Sequence, residues 1–163
     1  MKSCVFPGSF DPMTLGHLNL IERLSGMFDH VTVTVMVNIH KQGCIPHEER
    51  VRMLRKACAG IPNVSVELWH GLLSAYMKDH GETLLIRGVR DQSEFEKERT
   101  AAAINRRLYP QMETMLLPAE DVLTEVSSSA VREIAAFGGN YLQFVPDAIS
   151  EDIRKWLDDP EKN

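Results

Sequence analysis

Residue types suited to binding an anion follow several short apolar runs of this chain. The first such segment, PGSFDPMTLGH, runs from Pro7 to His17 and includes Gly8 and Gly16. Glycines let the backbone approach a ligand closely, and the free amides of a helix N-terminus favour phosphate, to which His17 can donate a hydrogen bond. The segment therefore predicts an anion site, although an ordinary strand-to-helix loop with a surface histidine has a similar composition.

Basic side chains occupy two further segments of the same kind. Lys41 ends the sequence NIHK, and Arg87 and Arg90 flank Gly88 at the end of an apolar run. Two guanidiniums can hold phosphate oxygens in bidentate fashion. The structural alternative is ion pairing with acidic side chains of the next segment: Glu94, Glu96 and Glu98.

A run of three serines, Ser127–Ser129, precedes the last segment, with Arg132 about one helical turn later. One serine is enough to cap a helix. Three serines offer additional hydroxyls and amides, which suits a chain of phosphates.

These segments must be positioned by the elements between them. Apolar, β-branched runs predict five strands: Ser3–Phe6, His30–Val37, Val64–Trp69, Thr83–Val89 and Met112–Pro118. Amphipathic segments between and after them predict helices, the first with Thr14 as its N-cap, the third closed by Gly81 and the last from about residue 146. This alternation predicts a single α/β domain over residues 1–163, a Rossmann-like doubly wound sheet of five parallel strands with helices on both faces. Ligands bind at the carboxyl ends of such strands, so the anion-binding segments are expected to converge there.

The composition limits the classes of function. The formal net charge of −5 argues against general binding to nucleic acids or membrane surfaces, so an anionic substrate needs a local cluster of cations. Three scattered cysteines without a CxxC pair, and no apolar run long enough to span a membrane, predict a cytoplasmic protein. His40, Cys44 and His47 lie close in sequence, but no fourth zinc ligand is near, so no metal site is predicted.

The motifs at these positions resemble those of a known superfamily. GSFDPMTLGH is similar to the TxGH form of the HxGH signature of nucleotidyltransferases, and VSSSAVRE is similar to their ISSSxxR signature. LLIRGVRDQSEFEKE and NIHK, at their present spacing, resemble the bacterial phosphopantetheine adenylyltransferases. The resemblance extends from Cys4 to about Trp156.

The resemblance implies a reaction in which 4′-phosphopantetheine and MgATP give 3′-dephospho-coenzyme A and pyrophosphate, in a protein that is commonly hexameric. It implies catalytic roles for three residues: His17, Lys41 and Arg90. It implies acceptor binding by Ser9, Lys41, Leu73 and Arg87. It implies ATP binding by Ser9, Phe10, His17, Gly88, Val89, Arg90, Glu98, Leu123, Thr124, Glu125, Val126, Ser127, Ser128 and Ser129. Mg²⁺ is expected to arrive on the ATP phosphates, since no carboxylate cluster suits a dedicated site.

The sequence departs from the pattern of these enzymes at several positions, among them Gln42, Gly71, Leu123 and Val126. Two alternative functions stay open at this point. One is a related nucleotidyltransferase acting on nicotinate mononucleotide, or using CTP with glycerol 3-phosphate. The other is a nucleotide-binding module of the same fold without catalytic activity.

Overall fold

A computed structural model describes residues 2–37 and 43–158 of the chain. Its strands are β1 (Ser3–Gly8), β2 (His30–Met36), β3 (Val64–Trp69), β4 (Leu84–Val89) and β5 (Glu113–Pro118). Its helices are α1 (Leu15–Met27), α2 (His47–Ala57), α3 (Leu73–Asp79), α4 (Gln92–Leu108), α5 (Ser128–Ala136) and α6 (Ser150–Leu157). Short 3₁₀ turns occupy Asp121–Leu123, Leu142–Phe144 and Asp147–Ile149. None of the described helices is long and apolar enough to cross a bilayer.

The five strands form one parallel sheet in the order β3-β2-β1-β4-β5, which confirms the predicted fold class. Alternate side chains of a strand point to opposite faces. Cys4 and Phe6 accordingly join the core that includes residues of α1, α2, α5 and α6, whereas Val5 joins a smaller core that includes Tyr76 of α3. Helices therefore cover both faces of the sheet.

The strand order reverses between β1 and β4, and these two strands pair only through Val5 and Leu85 among the described residues. Pairing of β1 with β2, in contrast, continues to Gly8 and Val35. The sheet consequently opens at the carboxyl ends of β1 and β4. In doubly wound sheets this switch point is where ligands bind.

Strand β1 is two residues longer than predicted, because Pro7 and Gly8 continue the strand instead of starting the turn. Proline lacks an N–H and is tolerated where one side of a strand is unpaired. Pro7 lies where β1 no longer pairs with β4. On that side its carbonyl oxygen accepts a hydrogen bond from Arg87 Nη1 at 2.6 Å. The other strand ends differ from the prediction by one residue or less, and Thr14 is the N-cap of α1 as predicted.

Candidate active site

A cavity of about 520 Å³ lies at the opening between β1 and β4. Its walls come from the segments that follow β1, β2, β4 and β5, together with the start of α5. Five cationic side chains line it: Arg50, Arg87, Arg90, Lys97 and Arg132. Three acidic side chains also line it: Asp11, Glu94 and Glu98. The cavity is therefore locally cationic, although the chain carries a net charge of −5.

His17 lines this cavity from the first turn of α1 and is held by Thr14. The Thr14 backbone N–H donates to His17 Nδ1 at 3.0 Å, while the Thr14 hydroxyl accepts from the His17 backbone N–H at 3.4 Å. This is a capping box in which histidine takes the position usually held by glutamate or glutamine. Because Nδ1 accepts from a backbone amide, the neutral ring carries its proton on Nε2, which leaves a donor for a ligand.

The imidazole of His17 is neutral at physiological pH. Burial, together with the nearby positive charges of Arg87 and Arg90, lowers its pKa to about 4. His17 therefore offers a hydrogen bond to an anion rather than a positive charge.

The Phe10 ring packs against the His17 ring. It is almost fully buried, with its ring edge-on to that of His17 at a centroid distance of 4.9 Å. Its backbone φ is +47°, in the left-handed region that non-glycine residues seldom adopt. A Cβ at Gly8 would lie 3.0 Å from the Phe10 ring, so the glycine makes room for this packing.

The two arginines of β4 and its following loop are each held by a carboxylate of α4. Arg87 donates to both carboxylate oxygens of Glu98, at 2.7 and 2.9 Å. Arg90 pairs with Glu94 through its guanidinium, and its backbone N–H donates to the same carboxylate at 2.9 Å. The ion-pair alternative is therefore observed for both arginines, and the paired guanidiniums also line the cavity.

The start of α5 brings the three serines to the cavity wall. Ser127 is the N-cap, and its hydroxyl accepts from the Ala130 N–H at 3.0 Å. The Ser128 hydroxyl donates to the Pro12 carbonyl at 2.7 Å, which ties α5 to the β1–α1 loop. The dipole and free amides of this helix end favour a negative ligand.

The structure places most of the predicted site residues along this cavity: Ser9, His17, Arg87, Gly88, Val89, Arg90, Glu98, Leu123, Val126, Ser127, Ser128 and Ser129. Thr124 and Glu125 lie between the lining residues Leu123 and Val126 in the sequence but do not line the cavity themselves. Leu73 packs instead against the smaller core around Tyr76 and Met77. Lys41 and its neighbours His40 and Gln42 lie outside the described residues.

Sequence reasoning missed two buried groups and one lysine at the cavity. Asp11 and Arg50, exposed to only 6% and 4%, form an ion pair at 3.4 Å. Lys97, on α4, also lines the cavity. Helical spacing could have suggested Lys97, because it lies one residue before Glu98 and about two turns after Arg90. Nothing local to Asp11 or Arg50 indicated their pairing.

Comparison with known proteins first defines the class. Residues 5–134 match a family model described as cytidylyltransferase-like. The crystal structure of a bifunctional NMN adenylyltransferase/ADP ribose pyrophosphatase from Francisella tularensis superimposes with a TM-score of 0.75 over 99% of this chain, which spans 52% of that one. The identity is 14%, so this likeness concerns the fold alone. The match and the fold define a Rossmann-like nucleotidyltransferase.

Curated relatives narrow the class. The phosphopantetheine adenylyltransferase of Rubrobacter xylanophilus is 44% identical over 95% of this chain and 94% of that protein. The corresponding proteins of Levilactobacillus brevis and Clostridium botulinum are 45% and 41% identical, over 93% and 95% of this chain and 94% of each relative. The chain therefore belongs to the cytidylyltransferase-like family and, within it, to the phosphopantetheine adenylyltransferases.

Proposed function

We propose that this chain transfers the adenylyl group of ATP to 4′-phosphopantetheine, giving 3′-dephospho-coenzyme A and pyrophosphate, the penultimate step of coenzyme A synthesis. An oxygen of the acceptor's phosphomonoester forms a bond to the α-phosphorus of ATP. The bond from that phosphorus to the β-phosphate oxygen breaks, and pyrophosphate leaves with the electron pair. No covalent enzyme intermediate is required.

One observation carries this proposal: the locally cationic cavity at the β1–β4 opening, lined by His17, Arg87, Arg90 and the serines that start α5. Both substrates are anions. Two unit charges about 4 Å apart repel by about 4 kcal/mol at an effective dielectric constant near 20. A site for this reaction must therefore bring several donors and cations to one place, as this cavity does.

The positions of the side chains suggest a division of roles. Arg87 lies at the end of β4 beside Pro7 and suits the acceptor phosphate, together with Lys41. Arg90 and the amides at the start of α5 suit the triphosphate. His17 donates from Nε2 to the charge that develops on the transferred phosphate. A phosphate dianion is nucleophilic at neutral pH, so the mechanism needs alignment and charge stabilisation but no general base.

The acidic side chains of the cavity bear on where Mg²⁺ is held. Within the described part of the chain, the lining carboxylates Asp11, Glu94 and Glu98 are each paired with an arginine. Carboxylates engaged in this way make a poor cage for a cation, so the donor set fits a metal held mainly by the nucleotide's own oxygens. When bound, Mg²⁺ lowers the charge of the triphosphate.

A coupled pyrophosphate assay tests the proposed reaction. The purified chain is incubated with MgATP and either 4′-phosphopantetheine or nicotinate mononucleotide, and in a separate arm with CTP and glycerol 3-phosphate. Pyrophosphate and dephospho-coenzyme A, identified by mass, are expected with 4′-phosphopantetheine only. ATP binding without pyrophosphate release in any arm would support a non-catalytic module instead.

A homohexamer is the proposed assembly. Helix α4, described along its whole length, has no fully buried residue, although Ile104 and Leu108 are apolar and 55% exposed. Neighbouring Met115 on the edge strand β5 is 48% exposed. An uncovered apolar helix beside a sheet edge suits contact with another copy. Light scattering is expected to give six times the 18.4 kDa chain mass, and Ile104→Glu to reduce it.

The proposed location is the cytoplasm. Cys4, Cys44 and Cys58 all fall within the described residues and are free thiols, which suits a reducing compartment. Fractionation of cells expressing the tagged chain is expected to place it with cytoplasmic markers.

A further inference from the structure

Asp11 uses both of its carboxylate oxygens to hold the segment Gly43–Ile45. Oδ2 accepts from the Cys44 backbone N–H and Oδ1 from the Ile45 backbone N–H, each at 3.0 Å. These bonds join the β1–α1 loop to the segment that follows β2. Asp11 is 6% exposed, so water competes little for them.

Arg50, on α2, completes the contact from the other side. Its Nη2 lies 3.4 Å from Asp11 Oδ2, its Nε donates to the Ile45 carbonyl at 2.7 Å, and its Nη1 donates to the Ser9 carbonyl at 3.1 Å. Ile45 is thus held at both its N–H and its C=O. Arg132 of α5 adds a third connection by donating to the Asp11 carbonyl. We call Asp11, Arg50 and Arg132 the loop tie.

The lack of a side chain at Gly43 leaves room for the Asp11–Arg50 ion pair. A Cβ at Gly43 would lie 1.6 Å from Arg50 Nη2 and 2.9 Å from Asp11 Oδ2. The backbone there passes directly against the ion pair, which only glycine permits.

Stability alone does not account for the loop tie. A buried ion pair is about as stable as a well-packed apolar replacement, so its presence is weak evidence for a stabilising purpose. The segments that it joins carry Ser9, Gly43 and Ser129, all of which line the cavity. The loop tie therefore connects three segments that form walls of the cavity.

We infer that Asp11 and Arg50 are positioning residues, which set the place of the segment after β2 against the phosphate-binding turn. The kinetic part of this inference rests on the proposed function, because Gly43 follows two residues after Lys41, a proposed acceptor-binding residue. Asp11 holds this segment through two hydrogen bonds of its carboxylate at 3.0 Å, whereas Arg132 donates to the Asp11 backbone carbonyl and lies farther from the carboxylate, at 4.0 Å. Loss of the carboxylate should accordingly affect the acceptor more than ATP.

The substitution Asp11→Asn tests the loop tie in the full-length protein. Asparagine has one acceptor oxygen, so its NH₂ group opposes either the Cys44 or the Ile45 N–H, donor against donor. We expect faster hydrogen exchange of the backbone amides of residues 43–45. We also expect KM for 4′-phosphopantetheine to rise about tenfold, the size of one charge-assisted hydrogen bond, with ATP affinity changed less than about twofold.

Asp152→Asn is the matched control. Asp152 is also a buried carboxylate, paired with Lys56 at 2.8 Å and Arg52 at 3.0 Å, but it joins α6 to α2 and does not line the cavity. It should lower the melting temperature without changing KM or the amide exchange of residues 43–45. An equal KM rise in both variants at equal loss of stability would overturn the inference, as would unchanged exchange in Asp11→Asn.

If Asp11→Asn does not fold, Gly43→Ala applies the same test at an exposed position by displacing Arg50, with Gly60→Ala as its control because no atom lies within 4 Å of a Cβ there. Faster amide exchange of residues 43–45 in Gly43→Ala but not in Gly60→Ala supports the inference, and no difference refutes it. Failure of the wild-type protein to release pyrophosphate would count against the proposed function only, because hydrogen exchange does not depend on turnover.

Discussion

Removing the carboxylate of Glu94 is expected to tighten ATP binding. Glu94 holds Arg90 through its guanidinium and its backbone N–H. These hydrogen bonds lower the pKa of Glu94, so it is charged at neutral pH and competes with any phosphate for the same guanidinium. Glu94→Gln keeps an oxygen for the backbone bond but removes the competing charge.

The expected size of the change in ATP affinity depends on how exposed the Arg90–Glu94 ion pair is. At an effective dielectric constant near 20, two opposite unit charges about 4 Å apart attract by about 4 kcal/mol. The side chains of Arg90 and Glu94 are 32% and 25% exposed, so solvent screens much of this attraction. Exposed pairs contribute about 0.2–1 kcal/mol and hydrogen bonds to charged groups about 1.5–3 kcal/mol. We take about 1 kcal/mol, which corresponds to about fivefold tighter binding.

Isothermal titration calorimetry with ATP measures this change directly. Glu96→Gln is the matched control, because Glu96 lies on the same helix, carries the same charge and pairs with Arg99 away from the cavity. Arg90→Ala should weaken ATP binding, since it removes the guanidinium itself. Unchanged or weaker binding in Glu94→Gln, or equal tightening in Glu96→Gln, would refute the competition between carboxylate and phosphate.

Three further predictions concern His17 and the packing of α1. His17→Ala removes the Nε2 donor and should lower kcat about 100- to 1000-fold with little change in ATP affinity by calorimetry; an unchanged kcat would contradict its role. NMR titration of the His17 imidazole in the free protein should give a midpoint near pH 4, which Arg90→Ala raises by removing a positive neighbour; a midpoint near 6.5 would indicate a solvated ring. Gly88→Ala places a Cβ 2.4 Å from Leu20 Cδ1 and should lower the free energy of unfolding in urea by about 1–3 kcal/mol. Gly60→Ala should change it by less than about 0.5 kcal/mol, and equal effects would disprove the overlap.

Local chemistry made much of the fold predictable. β-branched runs and helical spacing identify the strands and helices because these preferences act between near neighbours in sequence. Thr14 caps α1, and Gly81, with φ at +66°, follows α3, as their residue types indicate. The parallel sheet followed from the alternation of elements. The motif residues could be assigned to one edge because each follows a strand.

The sequence by itself thus determined the elements and the edge of the sheet at which the candidate anion-binding groups meet. Only the tertiary structure decided which partners those groups have: Arg87 with Glu98, Arg90 with Glu94, and Arg50 with Asp11. It also decided that His17 is neutral, because burial and two guanidiniums set its pKa. Charge pairing and desolvation depend on distances between residues remote in the chain, which packing creates and local sequence preferences do not specify.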